Sequence, residues 1–75
     1  MKISGNEVLW LSEKANVAVV YAQFDMGAKY KVLQKVKYER EDGGYNDHWE
    51  FSIAFGTYGE AFNYARKMND LDVFR

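Results

Sequence analysis

The chemistry most legible in these 75 residues is cationic. Lys29, Lys31, Lys35, Lys37 and Arg40 fall within residues 29–40, and the stretch "KYKVLQKVKY" sets an apolar or aromatic residue at most positions between the lysines. An alternation of period two puts those lysines on one side of a strand and Tyr30, Val32, Val36 and Tyr38 on the other. The five cations outweigh Glu39 to give a local +4, so the rest of a chain of formal net charge −1 carries −5. A nearly neutral protein is thereby dipolar, with one surface suited to carboxylates or phosphates.

Other reactive groups are sparse. His48, the one histidine, sits in "YNDHWE" without the HExxH or cysteine-bearing pattern of a metal or general-base site. Glu39, Glu41, Asp42 and Asp47 gather around one hairpin but lack the spacing of a calcium loop. The chain has no cysteine, which excludes disulfides, thiolate nucleophiles and sulfur-ligated zinc. "DGGY" reads as a turn, and no glycine pattern cradles a phosphate. The expectation is a non-enzymatic protein with no catalytic residue, metal site or cofactor.

The elements that carry the lysines follow from turn signals. "EVLWLS" reads as a short first strand and, after the polar break "EKAN", "VAVVYAQF" as a second. The lysine stretch is the third strand, entered through a loop at Met26-Gly27, and "NDHWEFSIAF" the fourth. Asp42-Gly43 between them suits a two-residue type I′ turn, since both central residues then need positive φ. In "GTYGEAFNYARKMND" the period changes: Thr57 and Glu60 form a capping box, and Tyr58, Ala61, Phe62, Ala65 and Met68 recur on one helical face. The fold expected is α+β, a four-stranded antiparallel meander with one C-terminal helix packed on one face, in a single domain over 1–75. The tail "LDVFR" has enough apolar character to dock. An N-terminus without an apolar segment, and no run long enough to span a membrane, point to a soluble, unprocessed, cytoplasmic chain.

Register then assigns faces. An Asp42-Gly43 turn sets Val36 opposite Trp49, Val32 opposite Ile53 and Tyr30 opposite Phe55 beneath the helix. On the other side it sets Lys35 opposite Glu50, Lys37 opposite His48 and Leu33 opposite Ser52. A single helix covers one side of a sheet, so the lysine side is left open. Its expected surface is an apolar strip, Val20 and Leu33 flanked by Ala22, Ala54 and Phe24, ringed by Lys29, Lys31 and Lys35. Trp10 joins the core if the loop Glu13–Asn16 keeps four residues and the outer face if the loop is odd. Solvated lysines on a sheet are ordinary, but contiguous apolar surface within them marks a contact site. The residues expected to meet a partner are Lys29, Lys31, Leu33, Lys35, Lys37, Val20, Phe24 and Trp10. That partner is a larger protein or nucleoprotein complex rather than a membrane, with nucleic acid and a homodimer as alternatives.

The joint "WEFSIAFGTYGEAFNYARKM" is similar to the last strand and helix of integrase arm-type DNA-binding domains, in which a strand ends in F-x-T-x-x-E-A; Phe55, Thr57, Glu60, Ala61 and Ala65 match. The order of elements also resembles short phage-encoded inhibitors of host enzymes, of the transcription-inhibitor and anti-CRISPR type. The first resemblance implies DNA binding. The second implies a compact body that blocks a larger machine, in the host cytoplasm if the chain is viral.

Overall fold

A computed structural model describes residues 1–70; the expected docking of "LDVFR" lies outside the described residues. The chain forms β1 (Lys2–Ile3), β2 (Asn6–Leu11), β3 (Val17–Tyr21), β4 (Tyr30–Glu39), β5 (Tyr45–Phe55) and α1 (Tyr58–Asp70). The strands make one antiparallel sheet in sequence order. The architecture is α+β, but with five strands rather than four. The additional strand is only two residues long and turns back through Ser4 and Gly5, both at positive φ (52° and 82°). The two-residue turn expected at Asp42-Gly43 therefore occurs at the other end of the sheet. No helix among the described residues is long and apolar enough to cross a membrane.

The β4–β5 hairpin closes instead on three residues, Glu41, Asp42 and Gly43. Arg40 N–H donates to Gly44 O at 2.7 Å, Gly43 N–H to Arg40 O at 3.1 Å, and Gly43 takes φ 88°. This is a type I turn followed by a left-handed glycine. Asp42 Oδ1 accepts from Gly44 N–H (3.0 Å) and Arg40 Nε (3.1 Å), and these bonds, the Gly44 amide first, hold the carboxyl below its usual pKa.

The odd loop slides the ladder by one residue. Lys35 faces Trp49, Val36 faces His48 and Leu33 faces Phe51, whereas Val32 with Ile53 and Tyr30 with Phe55 pair as expected. Ser52 is the extra residue, a β-bulge that absorbs the slip. A second bulge at Leu9 lets Val8 pair with Val20 and Trp10 with Val19 on opposite sides of the sheet. Ser12 N–H donates to Val17 O at 2.9 Å, so the β2–β3 loop it closes keeps the four residues Glu13–Asn16. At the base of that loop the Ser12 hydroxyl, the one buried polar side chain among the described residues, accepts from the amides of Asn16 (3.0 Å) and Val17 (3.1 Å) and donates to Asn16 Oδ1.

Helix α1 begins as the capping box requires, with one difference. Thr57 Oγ1 accepts from Glu60 N–H at 3.3 Å, but the Glu60 carboxylate takes the threonine hydroxyl (2.9 Å) rather than the Thr57 amide. Ala61 and Ala65, fully buried, let the helix approach β3 and β4 closely, forming one core with Val17, Val19 and Val32 and with the flanking Trp10, Tyr30, Ile53, Phe55 and Met68. Trp10 meets Phe62 edge to face at 5.5 Å, so it belongs to the helix side. The opposite side of the sheet holds a second cluster, Ile3, Ala18, Val20 and Leu33, packed with Val8, Leu11 and Trp49. Strand β3 is consequently buried on both faces.

Candidate interaction face

The lysines of β4 do share one side of the sheet, but its apolar content differs from expectation. Val20 is fully buried and Leu33 is 7% exposed, because Ile3, Val8, Leu11 and Trp49 pack over them. They are core residues, not contact residues. Trp10 leaves this face altogether. Phe24 leaves it too: β3 ends at Tyr21, Ala22 N–H donates to Lys29 O (2.8 Å), and residues 23–28 form a six-residue loop in place of the two-residue Met26-Gly27 turn. On that loop Phe24 and Met26 are almost wholly exposed.

In exchange the Ser52 bulge delivers aromatic side chains. Side chains alternate at period two, so one extra residue carries Trp49 and Phe51 from the helix side to the lysine side. Lys31 Nζ lies 5.7 Å from the Phe51 ring centroid and Lys35 Nζ 5.1 Å from that of Trp49. Each such cation–π contact contributes about 0.5–1 kcal/mol at an exposed site. Trp49 is half-buried against the second cluster, while Phe51 remains 59% exposed. A phenylalanine that open, between two lysines, gives this face apolar surface to offer a partner.

The lysines are not equivalent. Lys31 pairs with Asp25 Oδ2 at 2.7 Å and so ties the β3–β4 loop to the face. Among the described residues Lys35 and Lys37 make no ion pair; Lys37 stands opposite Asp47 in the ladder and is exposed. Lys29 is half-buried in the loop ahead of β4.

His48 and Glu50 move to the reverse side, away from the lysines expected beside them. The His48 ring stacks on Tyr38 at 4.4 Å and 4°, and the Glu50 carboxylate accepts from the Tyr38 hydroxyl and lies 3.2 Å from His48 Nε2. These contacts, the tyrosine bond first, hold the Glu50 pKa below its usual value; the same bond raises that of Tyr38. All three groups are exposed or nearly so, on the part of the hairpin beyond the helix. No group of three or more His, Cys, Asp or Glu among the described residues could hold a metal ion.

Reading the sequence missed Trp49 and Phe51 as face residues. The available signal was "EDGG", where a glycine after Glu-Asp admits a three-residue loop as readily as a two-residue one, together with a lone serine interrupting "WEFSIAF". Comparison with protein-family models, curated proteins and solved structures finds no match to this chain.

Proposed function

We propose that this protein is a non-enzymatic interaction domain, of inhibitor or adaptor type, that docks on an acidic surface of a larger protein or nucleoprotein complex through the β4–β5 part of its lysine face. The observation that carries this reading is the exposure of Phe51 beside Lys31 and Lys35. Buried aromatic anchors ringed by steering charges supply most of the energy of protein interfaces. In this arrangement Phe51 is the anchor, Trp49 holds Lys35 in place, and Lys35 with Lys37 steers. Lys31 orders the neighbouring loop. Val20 and Leu33 build the platform without touching the partner. Occlusion of a partner's site is the simplest mode of action for a body measuring 40 × 27 × 19 Å.

The test is capture of partners from lysate by tagged protein, with and without nuclease, against a Phe51→Glu, Lys35→Glu variant shown to be folded. A protein that survives nuclease and is lost in the variant supports docking. Retention by the variant overturns it.

One observation favours a second reading, binding of single-stranded nucleic acid. Rings on a lysine-bearing sheet face are what base stacking requires, and the bulge supplies them at Phe51 and Trp49. Its weight is reduced by Asp25 on Lys31 and Asp47 across from Lys37. It requires affinity that falls steeply with salt, whereas docking anchored on Phe51 falls only modestly.

A further inference from the structure

Strand β5 forms one edge of the sheet. In the β4–β5 ladder Arg40 and Gly44 form a hydrogen-bonded pair, so the alternation of an antiparallel ladder makes Tyr38 with Asn46, Val36 with His48, and Gln34 with Glu50 the next bonded pairs. Lys35 agrees, since its N–H points the other way and donates to Asn16 O at 2.8 Å. The N–H and C=O groups of Tyr45, Asp47, Trp49 and Phe51 therefore point outward from the sheet. No strand among the described residues pairs with that edge.

Native edges are guarded by lysine, proline, short length or bulges. The edge at β1 is two residues long. The β5 edge has no lysine and no proline over eleven residues, and its one bulge, at Ser52, leaves Tyr45–Phe51 in unbroken register.

We propose that a second copy of this chain occupies this edge, β5 pairing antiparallel with β5 about a two-fold axis at His48. The outward row is self-complementary about that point. Tyr45 of one copy faces Phe51 of the other, and Asp47 faces Trp49, giving four residue pairs that each exchange two hydrogen bonds. The exposed rings of Tyr45 (62%) and Phe51 (59%) then pack side by side as cross-strand aromatic pairs, their outer sides still open on the lysine face. On the other side Asn46 faces Glu50 and His48 faces its own copy at the axis, and no two carboxylates or lysines stand opposite each other. Competing registers are poorer: an axis at Trp49 uses only three rows and sets Asp47 against Phe51, while an axis at Glu50 opposes two carboxylates. The lysines do not resist the pairing. They sit one strand inward, so at about 4.8 Å per strand the two β4 strands are roughly 14 Å apart, beyond the screening length of about 10 Å. The lysine faces remain open and adjoin as one surface across both copies.

The experiment is analytical ultracentrifugation of the full chain across a wide concentration range at neutral pH, with two sets of variants. The expected mass rises from 8.8 kDa toward twice that value. Asp47→Pro removes an outward N–H without touching the β4 ladder and is expected to stay at the monomer mass with an unchanged circular dichroism spectrum. His48→Cys, in a chain without cysteine, is expected to form a disulfide-linked dimer on mild oxidation, since opposed residues of a non-bonded pair have Cα atoms about 4.5 Å apart. Glu50→Cys, displaced from its own copy in this register, is expected not to. A wild-type protein that stays monomeric, an Asp47→Pro variant that dimerises equally well, or cross-linking by Glu50→Cys in preference to His48→Cys overturns the proposal. None of these measurements involves a partner, so the docking reading stands or falls separately.

Discussion

The Lys35 ammonium lies 5.1 Å from the ring centroid of Trp49, its cross-strand neighbour, because one extra residue at Ser52 has turned that indole toward the lysines. The pair joins the two layers of this side of the sheet: Trp49 packs down on the second cluster while Lys35 presents its charge above it.

Phe51→Ala should leave stability nearly unchanged, since 59% of the residue is already exposed. Against a docked partner the same change should cost about 2 kcal/mol, roughly a 30-fold loss in affinity. Isothermal calorimetry with the captured partner and a thermal melt of the free variant separate the two effects.

Leu33 behaves in the opposite way. Leu33→Ala should cost about 2–4 kcal/mol of folding stability through lost burial and a residual cavity, and Leu33→Glu should unfold the chain by burying a charge in the second cluster. Urea titration followed by circular dichroism measures both. A folded, stable Leu33→Glu would show that this residue is not enclosed.

Deleting Ser52 should be tolerated. Phe51 and Ile53 already point to opposite sides of the sheet, so their direct connection gives a regular ladder in which both keep their faces. Contacts from Phe51 to Lys31 in nuclear Overhauser spectra should survive the deletion. Their replacement by contacts from Phe51 to α1 would show that the three-residue turn does not hold the β4–β5 register.

Gly43→Ala meets no neighbouring atom, yet its φ of 88° lies where L-residues are strained. The expected cost is about 1–2 kcal/mol, which for a domain of this size lowers the melting temperature by roughly 4–16 °C. Gly43→Asn should lose less, because asparagine enters this region more readily.

The Tyr38–Glu50 bond should fail at both ends of the pH scale. Glu50 titrates below its ordinary value of 4.5 when folded, so its contribution is present above that pH and disappears as pH falls through the lowered folded-state value. Tyr38 titrates above its ordinary 10.0, so its contribution is present below that pH and is lost as pH rises through the raised value. Melting temperatures of Glu50→Gln and Tyr38→Phe should differ from wild type at neutral pH and converge on it in acid and in alkali respectively.

The elements were legible where local chemistry decides them. The strand stretches, the helix over 58–70 and the Thr57–Glu60 cap follow from alternation, helical spacing and side-chain hydrogen bonding within a few residues. Faces were legible only as far as the register held: Val32 with Ile53 and Tyr30 with Phe55 were readable, Trp49 and Phe51 were not. A strand has a side-chain period of two, so each single-residue irregularity inverts everything beyond it. Leu9 and Ser52 are such irregularities, and packing of distant residues rather than local preference selects them. The burial of Val20 and Leu33 was hidden for a related reason. It depends on Ile3, from a two-residue strand whose turn needs positive φ at Ser4, a non-glycine residue.

Strand β3 belongs to both clusters at once, with Val17 and Val19 under the helix and Ala18 and Val20 against the opposite layer. Neither layer can open without wetting a strand that the other depends on. The molecule should therefore melt as one cooperative unit, with the β3 amides the last to exchange with solvent. Anything that binds and braces the lysine side would then slow exchange in α1, on the far side of the sheet, with no change in helix conformation.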